Sequence, residues 1–169
     1  MSRLKELLAD LVYECIRGTE EIEVTEVVYD SRKVTQGSLF ICISGANVDG
    51  HDFAAQVVEA GARVLLVQKE VELPAKADVT VIRVADTRYA MAFVSAAYFG
   101  HPAKRLQVIG ITGTKGKTTT TYLVKNILEQ AGRKVGLIGT IEVIIGDTHI
   151  HANNTTPESY LVQQYFKQM

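Results

Sequence analysis

The stretch GITGTKGKTTTTY, residues 110 to 122, sets three glycines and two lysines among threonines, directly after the apolar run LQVI. Flexible backbone, cations and hydroxyls at one point suit the capture of phosphate oxygens. Gly116, Lys117 and Thr118 match the end of the P-loop pattern, in which backbone N–H groups and a helix N-terminus cradle phosphates. The strict pattern also requires glycine at position 111, where this chain has isoleucine, and glycines stand instead at Gly110 and Gly113. The loop is therefore a variant. In this reading Lys117 contacts the β and γ phosphates, Thr118 holds the magnesium ion, and Gly113 and Gly116 let the backbone close around the oxygens. Thr114, Lys115 and Thr119 complete the binding segment. A tight strand-to-helix turn capped by threonine is the plainer alternative, but it needs neither the second glycine nor a lysine at the helix start. The expected ligand is a nucleoside triphosphate.

Such a loop works only between a strand and a helix. LQVIGIT reads as the strand, and TTTYLVKNILEQA as a helix ended by Gly132. KVGLIGT is expected as the next strand, and IEVIIGDTHIHA as a hairpin turning at Gly146 and Asp147. A last helix runs through ESYLVQQYFKQM, with Thr156 as cap and Pro157 in its first turn. Before the break at Gly100–Lys104 the pattern is similar. Leu4, Leu7, Leu8, Leu11, Val12 and Cys15 recur at helical spacing after Ser2, a candidate cap, and predict an amphipathic first helix. EIEVTEVVYDSR reads as a strand entering a turn at Asp30, and LFICI, RVLLV and VTVIRV as further strands. Helices are expected after Asp52, with Gly61 just past the end, and after Asp86 or Thr87. Strands alternating with helices imply an α/β fold with largely parallel sheets, divided into domains at 1–103 and 104–169. The second part is short for a doubly wound nucleotide-binding domain. It reads as the truncated beginning of one.

The 169 residues carry a net charge of −1 and 47% hydrophobic residues, enough for a buried core. That balance gives no electrostatic reason to expect nucleic acid or an anionic membrane surface. No apolar run approaches the ~18 residues needed to span a bilayer, and the start lacks a signal-peptide core. Cys15 and Cys42 sit in apolar elements without metal-ligand spacing, as expected of reduced thiols in a cytoplasmic protein. His149 and His151 would share one face of a strand, yet no third ligand is spaced to complete a zinc site, so an exposed hairpin pair is expected. Glu142 and Asp147 suit the hairpin better than a second magnesium ligand.

With these residues in view, GITGTKGKTTT resembles the nucleotide loop of the Mur ligases, the ATP-dependent amide-forming enzymes of peptidoglycan assembly. YDSRKVTQGSLFICISGANVDGHDF resembles the uridine-binding domain of their tripeptide synthetases, the MurE type, and NNTTPES the central segment that contacts the UDP-muramoyl dipeptide. The resemblance implies a small N-terminal α/β uridine-binding domain, followed by the start of a P-loop, doubly wound, parallel-sheet ATPase domain. It implies ATP and Mg²⁺ as cofactors, with Lys117 and Thr118 as the catalytic groups. Tyr29, Ser31 and Arg32 would meet the uridine and diphosphate, as would Ala46, Asn47 and Val48. Asn154, Thr155 and Thr156 would hold the dipeptide. The implied substrates are UDP-N-acetylmuramoyl-L-Ala-D-Glu and a diamino acid, meso-diaminopimelate or L-lysine, used by a cytoplasmic monomer. The family's carbamylated lysine and magnesium-binding glutamate find no counterpart here, so this chain alone is expected to be inactive. A non-catalytic module binding UDP-muramoyl peptide or ATP, and a sister ligase adding the terminal dipeptide, stay open. A folylpolyglutamate synthetase shares the loop but has no use for a uridine pocket.

Overall fold

The computed structural model describes residues 1–45, 48–152 and 154–169. They form two compact units, Met1–Tyr98 and Phe99–Met169, which divide just before the Gly100–Lys104 break.

The first unit is built on a five-stranded sheet in the order β2 (Glu14–Arg17), β7 (Thr80–Arg83), β6 (Val64–Val67), β5 (Leu39–Ile41), β4 (Val27–Val28). β4 to β7 run parallel, and β2 pairs antiparallel with β7 at one edge. Every residue of β6 is buried, as a continuous VLLV run in the middle of a parallel sheet requires. Phe40, Leu65, Val67 and Val81 pack with Ala54 and Val57 of α2 (Ala54–Glu59). α3 (Thr87–Tyr98) buries Ala90, Met91 and Val94, and its start is capped by Asp86 Oδ1, which accepts the amides of Arg88 (2.8 Å) and Tyr89 (2.9 Å). Gly61 takes the left-handed conformation just past α2, at φ +113.

The amino-terminal segment departs from its helical spacing. Only Leu4–Leu7 form a helical turn, α1, which packs on α3. Ser2 does not cap it, because β1 (Ser2–Arg3) pairs instead with β3 (Glu23–Val24). Leu4, Leu7 and Leu8 are buried, whereas Val12 is 96% exposed and Cys15 lies in β2 opposite Ile82. The cause is tertiary. β7 offers a row of unpaired backbone groups at the sheet edge, and pairing residues 14–17 with it outweighs two more turns of isolated helix. The expected strand through 21–32 is likewise split into β3 and β4. Asp49, not Asp52, caps the helical segment that follows the β5 loop: its carboxylate accepts the His51 amide at the start of a 3-10 turn, Gly50–Phe53, leading into α2.

In the second unit α4 (Lys117–Gln130) follows the glycine loop, with Gly132 at φ +78 beyond it. β8 (Leu137–Ile138), β9 (Glu142–Ile145) and β10 (Thr148–His151) form an antiparallel sheet in the order β10-β9-β8, and the expected hairpin turns at Gly146 and Asp147. α5 (Ser159–Gln168) begins after Glu158 with no side-chain cap, so Thr156 and Pro157 lie before it. α5 packs on a 3-10 turn at Pro102–Arg105, and Tyr160 meets Phe99 edge-on at 5.2 Å. LQVIGIT joins no ladder among the described residues, and Val108 and Ile109 are more than half exposed. A strand needs a partner, and the antiparallel pairing of β8 with β9 offers it none. No helix of the described residues is long and apolar enough to cross a membrane.

Candidate functional site

The helix expected after the phosphate-type loop forms, whereas the strand expected ahead of it does not form among the described residues. Gly116 occupies the N-cap position of α4 at φ +78, a conformation costly for any residue with a Cβ. Gly113, at φ +152, turns the chain ahead of it. Lys117 reaches back so that its ammonium donates to the Gly113 carbonyl at 2.7 Å, placing the cation over the loop it belongs to. α4 is long enough to present a real dipole, and its first amides face the loop. A cleft of about 340 Å³ is lined by Thr114, Lys115, Gly116, Lys117, Thr118 and Thr119, together with Thr140 and Thr155. Two lysines and five threonines on one concave surface make a site for an anion rich in oxygens.

Thr155 is thus brought to the loop, while Asn154 and Thr156 do not line the cleft. Thr140 escaped the sequence reading. Its only signal is its place two residues past the end of β8.

Beside the hairpin, Glu142 accepts from the Tyr122 hydroxyl at 2.5 Å and lies 2.6 Å from His149 Nδ1. The Tyr122 bond and the nearby imidazole hold the Glu142 carboxyl below its ordinary range. Both acceptor oxygens are engaged within the protein. Glu142 ties α4 to the hairpin.

In the first unit the described members of the second candidate set follow the carboxyl ends of two adjacent parallel strands, where open α/β sheets bind ligands. Tyr29, Ser31 and Arg32 follow β4, and Val48 follows β5. Ala46 and Asn47 lie outside the described residues. Asp30 caps the short Ser31–Lys33 turn by accepting the Arg32 amide, and it also grips the Arg32 guanidinium in a two-point pair, Nε to Oδ1 at 2.9 Å and Nη2 to Oδ2 at 2.8 Å. That side chain bond, against the opposing effect of burial, pulls the Asp30 carboxyl down to about 2. Arg32 is 86% exposed at its side chain, so its remaining donors face solvent beside Ser31.

Comparison with known proteins now decides the family. Residues 23–99 match a model described as "Mur ligase family, catalytic domain", and residues 111–169 match the "Mur ligase middle domain". The chain belongs to the Mur ligase family. Among Mur ligase relatives, the UDP-N-acetylmuramoyl-L-alanyl-D-glutamate–2,6-diaminopimelate ligase of Clostridium perfringens is 49% identical over 98% of this chain and 34% of its own length. The enzyme of the same name from Alkaliphilus metalliredigens is 47% identical over 99% of this chain and 33% of its own length. The chain therefore spans about a third of the curated relatives it matches. Among solved Mur ligases, MurF from Acinetobacter baumannii is 26% identical, with a TM-score of 0.56 over 98% of this chain and 32% of that one. A UDP-N-acetylmuramoyl-L-alanyl-D-glutamate–2,6-diaminopimelate ligase superposes at a TM-score of 0.71, over 98% of this chain and 33% of that one, with 18% identity. It shares the fold. The mixed α/β architecture with a parallel sheet is that of Mur ligases.

Proposed function

We propose that this chain forms the UDP-substrate and ATP-binding portion of an ATP-dependent ligase that adds a diamino acid to UDP-N-acetylmuramoyl-L-Ala-D-Glu, with 2,6-diaminopimelate, the amino acid in the relatives' names, as the one added. One observation carries the reading. Thr155, from the segment assigned to the dipeptide, lines the same cleft as the phosphate loop, which supports a reaction between an acceptor carboxylate and a terminal phosphate.

In this reading the backbone and hydroxyls of Gly113 to Thr119 hold the triphosphate. Lys117 exchanges its bond to the Gly113 carbonyl for the β and γ oxygens. Mg²⁺ fits the Thr118 hydroxyl, at the first turn of α4 and on the cleft wall, and when bound it offsets phosphate charge. Asn154, Thr155 and Thr156 orient the dipeptide. Its terminal carboxylate oxygen attacks the γ phosphorus and ADP leaves. The amine of the diamino acid then attacks the acyl carbon, phosphate departs, and the amine loses a proton. The chain's part is positioning and charge neutralisation. Tyr29, Ser31, Arg32 and the loop residues Ala46, Asn47 and Val48 bind the UDP group, with the Ser31 hydroxyl and free guanidinium donors suited to a diphosphate. Activity over the whole reaction belongs to a longer protein, in keeping with the third of the relatives' length present here.

Calorimetric titration of the 169-residue chain with UDP-N-acetylmuramoyl-L-Ala-D-Glu, with UDP and with Mg-ATP tests this. Saturable binding of the muramoyl nucleotide and of UDP is expected, weakened in Ser31→Ala. Mg-ATP binding is expected to vanish in Lys117→Ala while UDP binding persists. A folded chain that takes up neither nucleotide sinks the proposal.

A further inference from the structure

A line of hydrogen bonds crosses the carboxyl edge of the first sheet without using the side chain of any residue assigned above to substrate. The β5 loop closes on itself: Ser44 and Asp49 pair as an antiparallel bridge, the Gly45 amide donates to the Val48 carbonyl at 2.9 Å, and the Gly50 amide donates to the Ile43 carbonyl at 2.8 Å. Val48, at its end, is 58% exposed.

Asp49 holds this stem. Its Oδ1 accepts the His51 amide at 2.9 Å and lies 2.5 Å from His51 Nδ1, while Oδ2 accepts from the Ser44 hydroxyl (3.1 Å) and the Lys69 ammonium (2.8 Å). Four donors saturate this carboxylate. It is positioned to hold the loop, not to bind a ligand.

His51 carries the line inward. It is 5% exposed, and its Nε2 accepts the Gln68 amide at 3.1 Å. Because that nitrogen accepts, the ring is neutral with its proton on Nδ1, donated to Asp49. Gln68 follows β6, and its side-chain oxygen accepts both the amide and the hydroxyl of Thr87, each at 2.9 Å, at the start of α3. Asp49 and His51 have both of their polar side-chain atoms engaged, which fixes the geometry at the stem.

We infer that His51 is a positioning residue for UDP capture, locking Asp49 and with it the stem that carries Val48, one of the residues proposed to bind UDP. The inference rests on the functional reading above. Core packing alone does not ask for an imidazole here, since an apolar side chain of similar volume would fill the space without the bond to Asp49. A loop used in recognition does need a supporting set of bonds to hold its shape.

Two substitutions separate the halves of the ring. His51→Asn keeps a donor near the Nδ1 position for Asp49 and loses the acceptor for Gln68, whereas His51→Gln keeps the acceptor and loses the donor. UDP is titrated into the 169-residue chain and each variant by calorimetry, with thermal melting recorded alongside. The expected result is about a tenfold loss of UDP affinity in His51→Gln and no more than about threefold in His51→Asn, although both lower the melting temperature. Should His51→Gln not fold, Ser44→Ala removes one of the Asp49 partners at the loop and is expected to weaken UDP binding by about threefold; unchanged affinity there overturns the inference. It is equally overturned if folded His51→Gln binds UDP as the parent does, or if the two His51 variants lose affinity equally. A parent chain that binds no UDP removes the functional reading itself, and this inference with it.

Discussion

Asp30 and Arg32 show how much one dipeptide spacing settles. A carboxylate two residues ahead of a guanidinium, at the end of a strand, caps its own turn and binds the cation at two points. The Arg32 bond sets the Asp30 carboxyl at about 2, below its ordinary 3.8. A folded-state value below the unfolded one stabilises fully above the ordinary range, and the contribution fades as pH falls from about 4 towards about 2. The pair therefore stays formed across neutral pH, and UDP binding is expected to be insensitive to it there. Following the Asp30 carboxyl carbon by NMR through an acid titration should give a midpoint near 2 in the parent and near the usual ~3.9 in Arg32→Met. A midpoint that does not move on losing Arg32 contradicts the assignment. Cys42 makes the complementary case: burial pushes its thiol up to about 12, so it is protonated at neutral pH. In a Cys15→Ser chain it should resist an aromatic disulfide reagent at pH 8 until the chain is unfolded in urea, and rapid reaction of that native chain would refute its burial. At this scale the sequence was most legible, because a glycine, a lysine and a threonine in that order have few other uses. Thr140 was hidden because a lone threonine after a strand has many.

Elements were legible where spacing and tertiary demand agreed. β6 and α3 formed as read, since a continuous apolar run and a capped amphipathic pattern each had one way to bury their side chains. The first helix failed because its leucines satisfy one turn as well as about three, and the open edge of β7 claimed what followed. The turn out of that edge strand depends on Gly18, at φ +82, where a Cβ would stand 2.5 Å from Thr80 Oγ1 and 2.8 Å from Thr80 Cα. Thr80 cannot retreat easily: its hydroxyl donates to the Thr19 carbonyl at 3.0 Å and accepts the Thr19 amide at 3.2 Å. Gly18→Ala is expected to cost about 2–3 kcal/mol through strain and overlap together. Gly116→Ala differs, because a Cβ there meets nothing within 4 Å, leaving only the left-handed backbone at φ +78 and a cost of about 1 kcal/mol. Urea unfolding, followed by amide resonances of each unit, would show a large midpoint shift in the first unit for Gly18→Ala and a small one in the second for Gly116→Ala. Equal shifts would mean the contacts of Gly18 do not govern its cost.

The two units differ in what they bury, and stability should follow. In the first, Leu39, Phe40, Ile41, Leu65, Leu66 and Ile82 are all at most 1% exposed. In the second, α4 buries none of its side chains, Leu123 and Ile127 are more than half exposed, and Val108 and Ile109 lie in a segment with no strand partner among the described residues. Sequence periodicity marks which face of α4 is apolar but not what covers it, and the composition of LQVIGIT suggests a strand without showing whether a partner strand is there to pair with it. Stability within one chain ranges from nearly nothing at such segments to the full unfolding free energy in a packed sheet. Hydrogen exchange on the 169-residue chain is therefore expected to show slow amides in β5, β6 and β7 and fast ones from 106 to 116, with α4 exchanging well ahead of the first sheet. Mg-ATP changes only part of this pattern. Phosphates accepting the amides of residues 113–119 should slow exchange there and along the first turns of α4, while β5 to β7 stay as they were, because a ligand stabilises what it binds. Lys117→Ala should abolish that added protection and leave the first sheet untouched. If residues 106–112 are already protected without nucleotide, the segment has a ladder partner. If Mg-ATP slows exchange in neither the loop nor α4, the cleft beside Thr155 does not hold the triphosphate.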